Sequence, residues 1–135
     1  MKNAALEELK AALHAELAAT AGLELAFVFG SVARGTATAL SDLDLAVQGD
    51  VDVLDLAARI ALVARREVDV VPLARASIPL LGAIIRDGVA LFERERGLEA
   101  SFRTRTLLAL ETDGPWYERQ ARAWLKRVAE RGILG

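Results

Sequence analysis

Leu25 to Phe29 is a wholly apolar run with two aromatics, closed at once by Gly30-Ser31. A short apolar run that ends in a turn signal reads as a buried strand entering a turn. Helical patterns surround it. Before it, Leu6, Leu9, Leu13 and Leu17 recur at helical spacing with Glu7, Glu8, Lys10 and Glu16 between them, and Gly22 supplies a stop. After it, Asp42 to Val47 opens with the alternation Asp-Leu-Asp-Leu of a second strand. Asp50 is positioned to cap a helix through Leu54, Ala57, Ala58 and Ala61 to Ala64, and Val68 to Val71 is a third strand cut off by Pro72. Ser77 caps a further helix with Pro79 in its first turn and Leu80, Leu81, Ile84 and Ile85 on its buried face. Gly88 ends that helix, and Val89 to Phe92 forms a short edge strand.

From Glu93 onward charged residues are dense, and two helices are predicted, Leu98–Glu111 and Pro115–Glu130, broken at Asp113-Gly114-Pro115. The alternation of helices and strands predicts an α/β (α+β) chain with helices on a small mixed sheet. At 135 residues it fits one domain. The expected division is a core over 1–92 and a helical pair over 93–135.

Composition narrows the chemistry. There is no cysteine and only one histidine, His14, which lies in the first helix and has no assigned role. Thiol nucleophiles, Cys or His-pair metal sites and most His-centred triads are therefore excluded. A net charge of −2 argues against binding nucleic acid through bulk phosphate attraction, so no direct nucleic-acid binding is expected. No apolar run is long enough to span a bilayer and no signal segment opens the chain, which predicts a cytoplasmic protein.

Carboxylates, hydroxyls and arginines remain. Asp42 and Asp44, two apart on a strand, project from one face and repel each other unless a cation sits between them. Hard oxygen donors point to Mg²⁺. If the second and third strands pair, Asp69 faces the same pair, and three carboxylates suit a two-metal scheme or leave Asp69 as a general base. Gly30 lets backbone approach a phosphate, Ser31 adds a hydroxyl, and Arg34 adds a planar cation. Any one of these features alone has an ordinary structural explanation. A strand, Gly-Ser, ten residues, Asp-x-Asp on a second strand and an Asp on a third make a much more specific conjunction.

That conjunction resembles a known signature. Gly30-Ser31, ten residues and Asp42-Leu43-Asp44 is similar to the motif of the DNA polymerase β-like nucleotidyltransferase superfamily. The fuller Gly-Ser-Val-Ala-Arg-Gly with Ser-Asp-Leu-Asp-Leu resembles its minimal branch, the MNT or MntA-like antitoxins. The resemblance implies that Asp42 and Asp44 bind two Mg²⁺ ions with Asp69 as third carboxylate, and that Gly30 and Ser31 hold the phosphates of ATP. It also implies a HEPN-domain RNase toxin as partner, silenced by AMP transferred to a tyrosine. Two alternatives stand beside it: an antitoxin acting by occlusion, and a small-molecule nucleotidyltransferase that needs a second subunit.

Two features belong to the C-terminal helices. Trp116, Tyr117 and Trp124 suit core packing better than a partner surface at their helical spacing. Arg103, Arg105, Arg119, Arg122, Arg127 and Arg131 form a solvated face or a docking surface for an acidic partner.

Overall fold

Four strands make one mixed sheet in the order β3-β2-β1-β4: β1 (Leu23–Phe29), β2 (Leu43–Gly49), β3 (Val68–Pro72) and β4 (Val89–Glu93). A computed structural model of the chain describes residues 2–38 and 40–131, with some side chains near either end outside the description. β1 pairs antiparallel with both β2 and β4, while β2 and β3 run parallel. The β2–β3 crossover is α3 (Val53–Ala64), as a parallel pair requires.

Each face of the sheet has its own core. On one face α1 (Lys2–Ala19) and α3 cover Ala26, Val28, Leu43, Leu45, Val47, Val70 and Leu91, all buried. On the other, α4 (Ile78–Asp87) and α5 (Leu98–Arg131) cover Leu25, Phe27 and Ala46, with Ile84 and Phe102 supplied by the helices. Leu23 and Leu25 share parity yet belong to opposite cores, because the β1–β2 register shifts between them at a bulge.

Local chemistry explains most element ends. The Ser77 hydroxyl accepts from the Leu80 N–H at 3.3 Å, with proline in the first turn of α4. α3 is capped by Asp52, which accepts from the Asp55 N–H at 3.1 Å, and not by Asp50. β2 extends through Gly49, so Asp50 falls in the bend between strand and helix. Pro72 is the last residue of β3 instead of its terminator, which an edge strand allows.

The largest departure from the sequence reading is α5. It is one helix of 34 residues that includes Gly114 and Pro115. Proline there removes the bond its N–H would have made to the Glu111 carbonyl, but its fixed φ is already helical. The break signal weakens one turn without ending the helix. The side chains of Trp116, Tyr117, Trp124 and Arg131, singled out in the sequence, lie outside the described residues.

Candidate active site

The carboxylates stand where helical cover runs out. β2 alternates: Leu43, Leu45 and Val47 enter the core under α1 and α3, so Asp44, Ala46 and Gln48 face the opposite way. On that face α4 packs on β1, and α5 packs on β1 and β4. On the β2–β3 half of this face Ala46 is buried, but Asp44 at the start of β2 is only half-buried and Asp69 on β3 is exposed.

Strand pairing brings the acids together. Asp44 is the register partner of Asp69 across β2–β3 and of Phe29 across β1–β2. The pairing of the second and third strands on which Asp69 depended is present, and it is parallel. Asp42 lies one residue ahead of β2 and is exposed, as is Asp69, whereas Asp44 is half-buried. Burial, then the charges of Asp69 and Asp42, push the Asp44 carboxyl above its ordinary value of 3.8, while Arg34 pulls it the other way. Asp69, Asp42 and Arg34 thus each lie near enough to act on the Asp44 carboxyl through their charge.

The turn after β1 is shaped around the same carboxylate. Gly30 opens the five-residue α2 (Gly30–Arg34) with φ +73°, a conformation that favours glycine. A Cβ at this position would sit 2.6 Å from Asp44 Oδ2. Sequence reasoning assigned this glycine to close phosphate approach; its geometry also shows that it makes room for Asp44. Ser31 is half-buried and adjoins the glycine, and its carbonyl accepts the Thr36 N–H at 3.0 Å. Arg34 is exposed.

Thr38, not marked in the sequence, and Ser41 of the motif prepare the approach to Asp42. The Thr38 N–H donates to Ser41 Oγ at 2.9 Å, and the Ser41 N–H returns to the Thr38 carbonyl at 3.1 Å. A hydroxyl pair three apart before the acids is the signal for this turn. The Leu43 N–H then donates to the Glu67 carbonyl at 2.9 Å, tying the start of β2 to the start of β3.

The Polymerase beta, Nucleotidyltransferase family model matches residues 12–97, from α1 to the threshold of α5. The chain belongs to this nucleotidyltransferase family. The match includes every site residue from Gly30 to Asp69. Solved structures similar to this nucleotidyltransferase include a toxin-antitoxin with AMP-PNP, at TM-score 0.68 and 23% identity over 92% of this chain and 98% of that one. Another is a tri-AMPylated Shewanella oneidensis HEPN toxin in complex with MNT antitoxin, at TM-score 0.63 and 21% identity over 96% and 99%. A third is the toxin-antitoxin MntA-HepT, at TM-score 0.62 and 20% identity over 94% and 98%. At these identities the likeness is one of fold. No curated protein sequence matches the chain.

Among the described residues, no three His, Cys, Asp or Glu side chains are arranged to hold a metal ion as they stand. The donor set nevertheless fits a hard divalent cation: oxygen donors only, with like charges crowded at a half-buried carboxylate. A protein cage of three ligands is not needed, since Mg²⁺ takes one or two carboxylates plus substrate phosphates and water. No helix among the described residues is long and apolar enough to cross a membrane.

Proposed function

We propose that this chain transfers AMP from ATP to a hydroxyl of a partner protein, a tyrosine of a HEPN-domain toxin encoded beside it, and so acts as the antitoxin of a cytoplasmic pair. The observation that carries the reading is the Asp44–Asp69 rung, set against Gly30 on the uncovered half of the sheet. The fold likeness to a toxin-antitoxin with AMP-PNP and to an AMPylated HEPN toxin with its MNT antitoxin supports the partner. Residues 1–92 serve as the catalytic core in this reading, with α5 accessory to it.

Gly30 and Ser31 take the triphosphate, glycine by leaving the backbone open and serine through its hydroxyl, while Arg34 pairs with phosphate oxygens. Asp42 and Asp44, with Asp69, would hold Mg²⁺, which when bound neutralises phosphate charge in both the attacking and the leaving geometry. The acceptor oxygen forms a bond to the α-phosphorus, the bond from that phosphorus to the bridging oxygen breaks, and pyrophosphate leaves. Asp69, exposed on the edge strand, also serves as the carboxylate that accepts the hydroxyl proton. Among the described residues no second domain closes over the site, which suits an acceptor that is itself a folded surface.

The test is to incubate the protein with Mg²⁺, labelled ATP and the adjacent HEPN protein, then read intact mass. A mass gain of whole AMP units on the HEPN protein, absent with Asp69→Asn, is expected. Full neutralisation of the toxin with no AMP on it would replace modification by occlusion.

A further inference from the structure

The arginines of α5 fall into two groups. Near its start they are tied into the fold. Arg103 donates to the Ile85 and Gly88 carbonyls at the end of α4, pairs with Glu99 at 2.8 Å and lies over the Phe27 ring. Arg105 reaches Gln48 of β2 at 3.5 Å. Burial along α5 then stops: Phe102 and Thr106 are buried, Ala109 and Leu110 are partly covered, and every side chain described from Glu111 onward is exposed. At 1.5 Å per residue, the helix beyond Leu110 is roughly 30 Å long.

That distal part has its own charge. Residues 115–131 hold Arg119, Arg122, Lys126, Arg127 and Arg131 against Glu118 and Glu130, a net charge of +3 within a chain of −2. Arg119, Arg122, Lys126 and Arg127 are all exposed, and their spacing groups them along one side of the helix. By sequence, Tyr117, Ala121, Trp124 and Val128 share the opposite side.

Position indicates what covers the cationic stripe. α5 leaves the body on the sheet face that bears the acids, because Gln48, touched by Arg105, alternates to the same side of β2 as Asp44. Gln48 is four residues along β2 from Asp44, about 13 Å, so a protein lying over that face to offer a hydroxyl to the site comes within reach of the helix as it leaves the body. We infer that the distal half of α5 is a docking arm whose Arg119, Arg122, Lys126 and Arg127 stripe binds an acidic surface of the protein acceptor. The inference rests on the proposed acceptor reading for the partner's identity. Its charge is the partner's specificity and on-rate device, separate from the chemistry at the acids. Gly114 and Pro115, at the arm's root, weaken one helical turn and let it adjust to the partner.

The experiment compares wild type with Arg119→Glu/Arg122→Glu/Arg127→Glu and with the same three positions changed to lysine. Each is measured for affinity to the immobilised adjacent HEPN protein, for binding of AMP-PNP with Mg²⁺, and by circular dichroism. Charge reversal should weaken partner binding roughly 100-fold and leave nucleotide binding and helix content unchanged. The lysine triple should bind the partner within a few-fold of wild type, and reversing acids on the partner should restore binding to the glutamate triple. Wild-type binding that survives reversal overturns the docking arm and leaves the acceptor reading intact. A wild type that labels nothing and binds nothing overturns both, and is told apart because the unaltered protein fails. Reversal that abolishes binding to a labelled single-stranded RNA, or that removes a self-association seen by light scattering, overturns the protein-acceptor assignment in favour of those occupants.

Discussion

On one side of β2, Leu43, Leu45 and Val47 are wholly or almost wholly buried beneath α1 and α3; one residue out of phase, Asp44 and Gln48 look out on the other side. The same seven residues thus build half a core and half a site. The covered face can be strict because two helices pack on it and meet each other through Arg59, which bridges Glu16 and Asp55 at 3.0 Å each. The other face buries Ala46 on β2 but leaves Asp44 half-buried and Asp69 exposed at the β2–β3 rung. The difference teaches that this fold separates stability from chemistry by strand parity, not by region of sequence.

The largest effect should come from the acids. Asp42→Asn with Asp44→Asn removes two charges from the open face and is expected to abolish AMP transfer at saturating Mg²⁺. The melting temperature should be held or raised in metal-free buffer. Transfer assays and thermal melts on the same preparation check it; undiminished transfer would show that the open face is not where the metal binds. Leu45→Ala, one residue along, should do the reverse. It leaves a cavity in the covered core, costing about 2–5 kcal/mol, which denaturant titration reads directly. Residual activity per folded molecule should stay near wild type.

Gly30→Ala tests the seam between the two faces. Alanine at φ +73° carries a strain of about 1–2 kcal/mol, and its methyl group displaces the Asp44 carboxylate. Catalytic efficiency toward ATP should fall much further than stability does. Ser31→Ala, which removes a hydroxyl without touching Asp44, should weaken AMP-PNP binding less, and calorimetry ranks the two.

The smallest effect is on pH dependence. Because the folded state raises the Asp44 pKa above 3.8, folding binds protons at this group in the window between the two values. Its contribution to stability is therefore present below 3.8 and lost as pH rises through the raised value. In metal-free buffer the advantage of Asp44→Asn over wild type should grow across that window and then level off. A constant difference at every pH would mean that burial and the neighbouring acids do not act on Asp44.

Local signals were legible where they are local in cause. A hydroxyl at Ser77 followed by Pro79 announces a helix start, and an apolar run ending in Gly-Ser announces a strand entering a turn. The cap of α3 was misread as Asp50 because two acids stand two apart, and the choice between them depends on where β2 ends. Asp-Gly-Pro was misread as a break because composition reports the weakened turn at Pro115 but not the helix that continues on either side of it.

By itself, the sequence determined the residue types available for chemistry and their order: Gly-Ser, then Asp-x-Asp, then Asp, with no thiol and no histidine pair. It determined which side chains alternate on each strand, since parity is a property of an extended backbone. Only the tertiary structure decided that β2 and β3 are parallel neighbours in the register that sets Asp44 beside Asp69. Pairing partner and register depend on how helices pack on the sheet, and that is a non-local balance of buried area. The same packing decided which face stays open, and that Gly30 gives up its side chain to make room for Asp44, fourteen residues further on. Sequence supplied the groups; long-range packing brought them to one rung.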